Sequence, residues 1–113
     1  VAGSRVHQPM ESAEFDFILA RADGPVLAYF SGTWPKAVQA CKEMDTVVAE
    51  LARAYEGRLT CVKVDISRCP EPTKRYGVTG APAFVLISSD GGATAATGPM
   101  DRTEFRDFLD GHL

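Results

Sequence analysis

The sequence predicts an α/β domain built on one central, mixed, four-stranded sheet with helices on its faces. Three observations carry the prediction. Residues 26–30 and 59–66 are apolar or β-branched runs of strand length, separated by a long stretch with helical spacing. Strand, helix, strand is the pattern of a crossover between parallel neighbours. A third apolar run, 83–87, is followed by Ser88-Ser89-Asp90-Gly91-Gly92 and a run over 93–97 that can return antiparallel. Helical patterns stand before the first strand, between the second and third, and after the last. The order is α-β-α-β-α-β-β-α.

Each element has its own warrant. Residues 1–10 show no periodicity and read as a loose lead-in. Ser12 is the expected cap of the first helix, with Glu14 in its first turn. Phe15, Ile18, Leu19 and Ala22 make one helical face, and Asp23-Gly24-Pro25 ends it. The run VLAYF at 26–30 is continuous, as suits a strand covered on both faces. After Ser31-Gly32-Thr33, residues Ala37, Ala40, Cys41, Met44, Val47 or Val48, Leu51, Ala52 and Tyr55 recur at helical spacing. Lys36, Gln39, Lys42, Glu43, Asp45, Glu50 and Arg53 lie mostly off that stripe. Thr33 is the expected N-cap, Pro35 sits in the first turn, and Gly57 is the expected stop.

The run LTCVKVDI at 59–66 reads as the second strand. Ser67-Arg68-Cys69-Pro70 opens a short helix that Gly77 closes after Tyr76. Pro82 precedes the third strand, and Gly98-Pro99 breaks the fourth. Asp101 and Glu104 have the spacing of a capping box. Phe105, Phe108 and Leu109 give the last helix its buried face, and Gly111 is expected to end it.

Composition narrows the function. A chain of 113 residues suits one domain with one core. Its 45% hydrophobic and 24% charged residues are ordinary for a globular protein. A net charge of -3 gives no basic field for nucleic acid, and Arg53, Arg58, Lys63, Arg68, Lys74 and Arg75 read as a solvated face. No apolar run approaches the ~20 residues of a membrane span, and no secretory signal pattern opens the chain. Three cysteines, Cys41, Cys61 and Cys69, argue against a disulfide scaffold and for a reducing, cytoplasmic setting. No metal site is expected, since the cysteines are widely spaced and His7 and His112 lie at opposite ends. No cofactor is implied.

The stretch from Val26 to Met44 organises the chain. A strand that feeds a helix through Ser31-Gly32-Thr33 leaves a helix N-terminus, with free N–H groups, at one edge of the sheet. The working site is expected there.

This order, with the residues at its joints, resembles the thioredoxin family over residues 12–113, which would form a thioredoxin-like domain behind a flexible lead-in at 1–11. The most specific piece is Tyr76-Gly77-Val78-Thr79-Gly80-Ala81-Pro82-Ala83-Phe84. It resembles the family segment in which a proline, cis in the family, precedes a strand and faces the redox site. Tyr55-Glu56-Gly57-Arg58-Leu59-Thr60 resembles the family's passage from second helix to strand. Gly98 matches the glycine before the final helix, and Trp34 the tryptophan before the redox motif.

The departure is at the centre. Where the family has Trp-Cys-Gly-Pro-Cys-Lys, this chain reads Trp34-Pro35-Lys36-Ala37-Val38-Gln39-Ala40-Cys41-Lys42. Cys41-Lys42 falls on the resolving cysteine and its lysine, with about three residues extra after Trp34. Val38 or Pro35 occupies the attacking position, so the usual Cys-x-x-Cys is degenerate. The family's buried aspartate is replaced by Tyr29 or a neighbour.

Dithiol exchange needs an exposed thiolate and a second thiol. If the helix begins near Trp34, Cys41 lies about two turns inside it, where the helix end does little for its thiol. If it begins near Val38, Cys41 returns to the first turn. Cys69 opens the third helix at a strand end, where the resemblance implies a place near the active-site face, and a Cys41–Cys69 bridge would need Cα atoms within about 7 Å. Cys61 reads as core. The resemblance implies a peptide-recognition surface at Trp34, Ala81, Pro82 and Gly98, where an extended segment pairs with the main chain. Two readings follow: a protein or extended-peptide binder with dithiol activity lost or reduced, or a thiol–disulfide oxidoreductase in redox homeostasis using Cys41 alone or with Cys69.

Overall fold

The computed structural model describes residues 6–22, 24–55 and 58–112. Its elements are α1 (Ser12–Arg21), β1 (Val26–Ser31), α2 (Pro35–Ala54), β2 (Thr60–Asp65), α3 (Pro70–Arg75), β3 (Ala83–Ile87), β4 (Ala93–Thr97) and α4 (Arg102–His112). The sheet order is β2-β1-β3-β4. β1 is parallel to β2 and antiparallel to β3, and β3 is antiparallel to β4. The predicted order and the mixed sheet are therefore those of the molecule.

β1 is buried at all six positions because it is paired on both edges and covered on both faces. Alternation splits it between two cores. Leu27 and Tyr29 pack with Met44, Val48 and Leu51 of α2 and Phe105 and Leu109 of α4. Val26, Ala28 and Phe30 pack with Phe15 of α1, Cys69 and the facing residues of β2 and β3. On the first face, Phe84 stacks on Tyr29 at 5.3 Å between ring centroids and tilts against Phe105 at 4.7 Å. The stripe of α2 resolves the sequence ambiguity in favour of Val48, which is buried while Val47 is only partly so.

Local hydrogen bonding moved several boundaries. α1 is capped by Glu11 rather than Ser12, with Glu14 Oε1 accepting from the Met10 N–H at 3.2 Å. α4 has the expected capping box: Glu104 N–H donates to Asp101 Oδ1 at 2.8 Å and Asp101 N–H to Glu104 Oε1 at 3.1 Å. Gly111 does not end α4, which continues to His112. Gly77, at φ +67°, closes α3 as expected, in a backbone region glycine enters freely. The expected stops at Asp23 and Gly57 lie outside the described residues.

The lead-in departs from the expected looseness where it is described. His7 forms a parallel bridge to Val62, with its N–H donating to Cys61 O at 3.0 Å and its C=O accepting from Lys63 N–H at 2.7 Å. Pro9 is buried. The segment satisfies main-chain groups on the outer side of β2. At the other margin, β4 is exposed or half-buried throughout. Ser88 N–H bonds Gly92 O and Gly98 N–H bonds Pro82 O, so with the ladder register Ala93, Ala95 and Thr97 direct their main-chain N–H and C=O away from β3.

Truncating the ring shared by β3, Tyr29 and Phe105 removes fully buried surface. Phe84→Ala is expected to lower the unfolding free energy by about 3–5 kcal/mol, read from urea denaturation.

Candidate functional site

Four residues singled out in the sequence lie at one end of the sheet. β1 runs out at Ser31 beside Asp65 of β2; Ala83 of β3 sits opposite Phe30, and Thr97 of β4 opposite Ala83. The Trp34 loop, the start of α3, Ala81-Pro82 and Gly98 all leave the sheet at that end. The Ala81–Pro82 peptide bond is cis. Pro82 C=O accepts the Gly98 N–H at 2.8 Å, and Gly98 has φ +94°. Ala81 is half-buried, and its N–H and C=O have no hydrogen-bond partner among the described residues.

Trp34 is 42% exposed, and its ring rests on Gly32: a Cβ added there would come within 2.2 Å of it. A side chain at position 32 would therefore displace the ring from this seat. Trp34, not Thr33, is the N-cap of α2. Its backbone is extended (φ -73°, ψ 154°), as a residue before proline prefers, and its C=O accepts from Ala37 and Val38 N–H at 2.9 and 3.0 Å. Pro35 at the first helical position has no N–H to leave unsatisfied.

The helix start decides the position of Cys41. With Pro35 as first residue, Cys41 lies late in the second turn, where its N–H is within the helix ladder. The alternative start at Val38 is not adopted. The Cys41 side chain is buried at 5% exposure, while Val38, one turn ahead, is 41% exposed. Cys69 caps α3 at 0% exposure on the opposite core, its sulfur 3.8 Å from Pro9 O. Burial, then the negative charge of Asp65, holds its thiol above the ordinary value. All three cysteines are free, so the considered Cys41–Cys69 bridge is not formed.

A network that the sequence reading did not assemble lies under Cys41. The Tyr29 hydroxyl is 2.8 Å from Cys41 O and 3.1 Å from Asp45 Oδ1, and Lys63 Nζ is 3.0 Å from the same carboxylate oxygen. Burial first, and then the Asp45 charge, push the Tyr29 phenol well above its usual value. The sequence signals were Asp45 one helical turn beyond Cys41 and a lone lysine in an apolar strand. Asp45 and Lys63, with Cys41 and Val38, line an open pocket of about 230 Å³. Among the described residues there is no His/Cys/Asp/Glu group that could hold a metal, and no helix long and apolar enough to cross a membrane.

Comparison with known proteins fits this geometry. The family described as "Thioredoxin" matches residues 6–111. The chain is 30% identical to thioredoxin from Pseudomonas aeruginosa over 101 residues, covering 89% of this chain and 91% of that one. It is 24% identical to thioredoxin from Haemophilus influenzae over 104 residues, covering 92% and 94%. Among solved structures, a mutant thioredoxin from Halobacterium salinarum aligns with a TM-score of 0.81 at 22% identity, covering 99% of this chain and 94% of that one, which shows the likeness of fold.

One outcome tests the site and a second tests the core beside it. Gly32→Ala is expected to displace the Trp34 ring; because the chain has one tryptophan, a red shift in emission and stronger iodide quenching would report it directly. Burial also pushes the Cys61 thiol from 9.0 up to about 12. Below pH 9 it is protonated folded and unfolded; between 9 and about 12 only the unfolded thiol ionises, so stability falls as pH rises through that window. Cys61→Ala is expected to flatten that fall, measured as unfolding free energy against pH.

Proposed function

The chain belongs to the thioredoxin family, and on that premise we propose that it is an atypical member that binds a protein or extended peptide at the conventional redox end of the sheet, with dithiol exchange lost or reduced. The observation that carries this reading is the burial of Cys41 inside α2, one turn beyond the exposed Val38. An attacking thiolate must be exposed and is usually stabilised at a helix N-terminus. Here Trp34, Pro35 and Val38 occupy that end, and Cys41 lies inside the helix. Cys69 is a poor second thiol, being sealed under Pro9 on the other face.

Binding needs no thiol. The unpartnered main chain of Ala81, the exposed Trp34 ring and the small Gly98 offer hydrogen bonds and apolar area to an extended segment, which would pair with the main chain in strand fashion. Three free cysteines fit a reducing compartment, so we place the protein in the cytoplasm. A second reading is favoured by one feature: Cys41 borders an open pocket, so a small oxidant or disulfide could approach it. In that case the protein is a single-cysteine thiol–disulfide oxidoreductase.

Insulin reduction by dithiothreitol separates the two. The protein and its Cys41→Ser variant are both expected to leave the uncatalysed rate unchanged; acceleration that disappears in the variant would establish the second reading. Binding is tested with carboxymethylated insulin B chain as an extended probe. Amide shifts at Ala81 and Gly98, and about tenfold weaker binding for Trp34→Ala, are expected. Silence at those amides under saturating probe would reject the binding site.

A further inference from the structure

Four large apolar side chains stand exposed among the described residues: Met10, Phe17, Trp34 and Val38. Scattered exposures of this kind are normal, whereas a cluster marks a contact surface. Phe17 stands apart and carries the Arg21 guanidinium 4.7 Å over its ring. The other three gather. Met10 and Val38 line the pocket above Cys41, and Trp34 lies on Gly32, which lines it too. At about 230 Å³ the pocket exceeds the ~150 Å³ cavity known to admit benzene, so it has room for one apolar side chain.

Its charges select the occupant. Lys42, Lys63 and Arg68 line it against Asp45 and Asp65. Both carboxylates are engaged within the protein. Asp45 holds Lys63, and Asp65 accepts the Ser67 hydroxyl and main-chain N–H at 2.6 and 2.9 Å. Arg68 reaches Asp65 only at 4.0 Å, and Lys42 has no ion-pair partner among the described residues. The pocket therefore carries an excess of positive charge on a chain whose net charge is -3. A basic segment would be repelled, and a neutral one would leave Lys42 uncompensated.

We propose that this pocket is a docking site, separate from the Ala81–Gly98 end, for a partner segment that inserts one apolar side chain and sets a carboxylate beside it. Neither Ala81, Pro82 nor Gly98 lines it, so occupation of one site does not require the other. Val38 supplies the apolar wall, Met10 the facing wall, and Lys42 with Arg68 the rim for the carboxylate.

The test is selection of phage-displayed dodecamer peptides on the full chain, followed by amide-shift mapping with the best synthetic peptide. The expected winners carry Phe, Leu or Met next to Asp or Glu and shift Met10, Val38, Lys42 and Arg68. Val38→Asp should abolish their binding. Lys42→Glu should weaken it by up to about fivefold, the scale of one exposed ion pair. Both positions are exposed on α2, and unchanged thermal melting of each variant checks that the fold is intact. Trp34→Ala is left out because that ring serves both sites. Selection of no peptide, winners without a carboxylate, shifts confined to Ala81 and Gly98, or full binding by Val38→Asp would each overturn the proposal. The amide shifts at Ala81 and Gly98 in the insulin B chain experiment read the other site independently.

Discussion

The central strand must be satisfied on four sides at once, and the rest of the molecule follows from that requirement. β1 has a parallel neighbour, an antiparallel neighbour and a core on each face. No polar side chain within it can be exchanged for water, so every group must find its partner inside the protein. Tyr29 shows the consequence. Its ring fills space beneath α2 and stacks on Phe84, and its hydroxyl is bonded to Cys41 O and Asp45. Tyr29 thus serves as a structural tie between strand and helix, and the negative charge beneath α2 sits on Asp45, beside Lys63.

The same demand fixes where α2 can vary. Its far end is anchored: Leu51 and Ala52 are buried, and the Tyr55 hydroxyl donates to Asp110 of α4 at 2.5 Å. At the near end the helix starts at Pro35, directly behind the Trp34 cap. Cys41 stays over the core in register with Met44 and Val48, and the tip passes to Trp34, Pro35 and Val38. Packing thus holds Cys41 inside the helix, away from the free N–H groups that favour a thiolate.

Much of this was legible in the sequence because it is written in periodicities. Continuous apolar runs gave β1 and β3, the stripe through Cys41, Met44 and Leu51 gave α2, and Asp101 with Glu104 gave the start of α4. The joints at Trp34, Pro82 and Gly98 were readable because proline and glycine impose local geometry. What was hidden depends on partners remote in the chain. His7 pairs with β2 through main-chain groups that every residue carries, so its type says nothing about the bridge. Glu11, not Ser12, is the cap, and Glu14 turns back to accept from the Met10 N–H. Asp45 reads as a solvated helix residue until Lys63 and Tyr29 are brought to it by the fold.

The two margins of the sheet are unequal. Beside β2, the segment at His7 takes up main-chain bonding capacity, and Lys63 puts a charge on that strand. Beside β4, three residues with small side chains and no charge aim their peptide groups at water. Neither lysine nor proline guards that flank. As a building block the domain therefore has handed growth: a further strand can be annexed along the β4 side, while the β2 side is already bridged by the segment at His7.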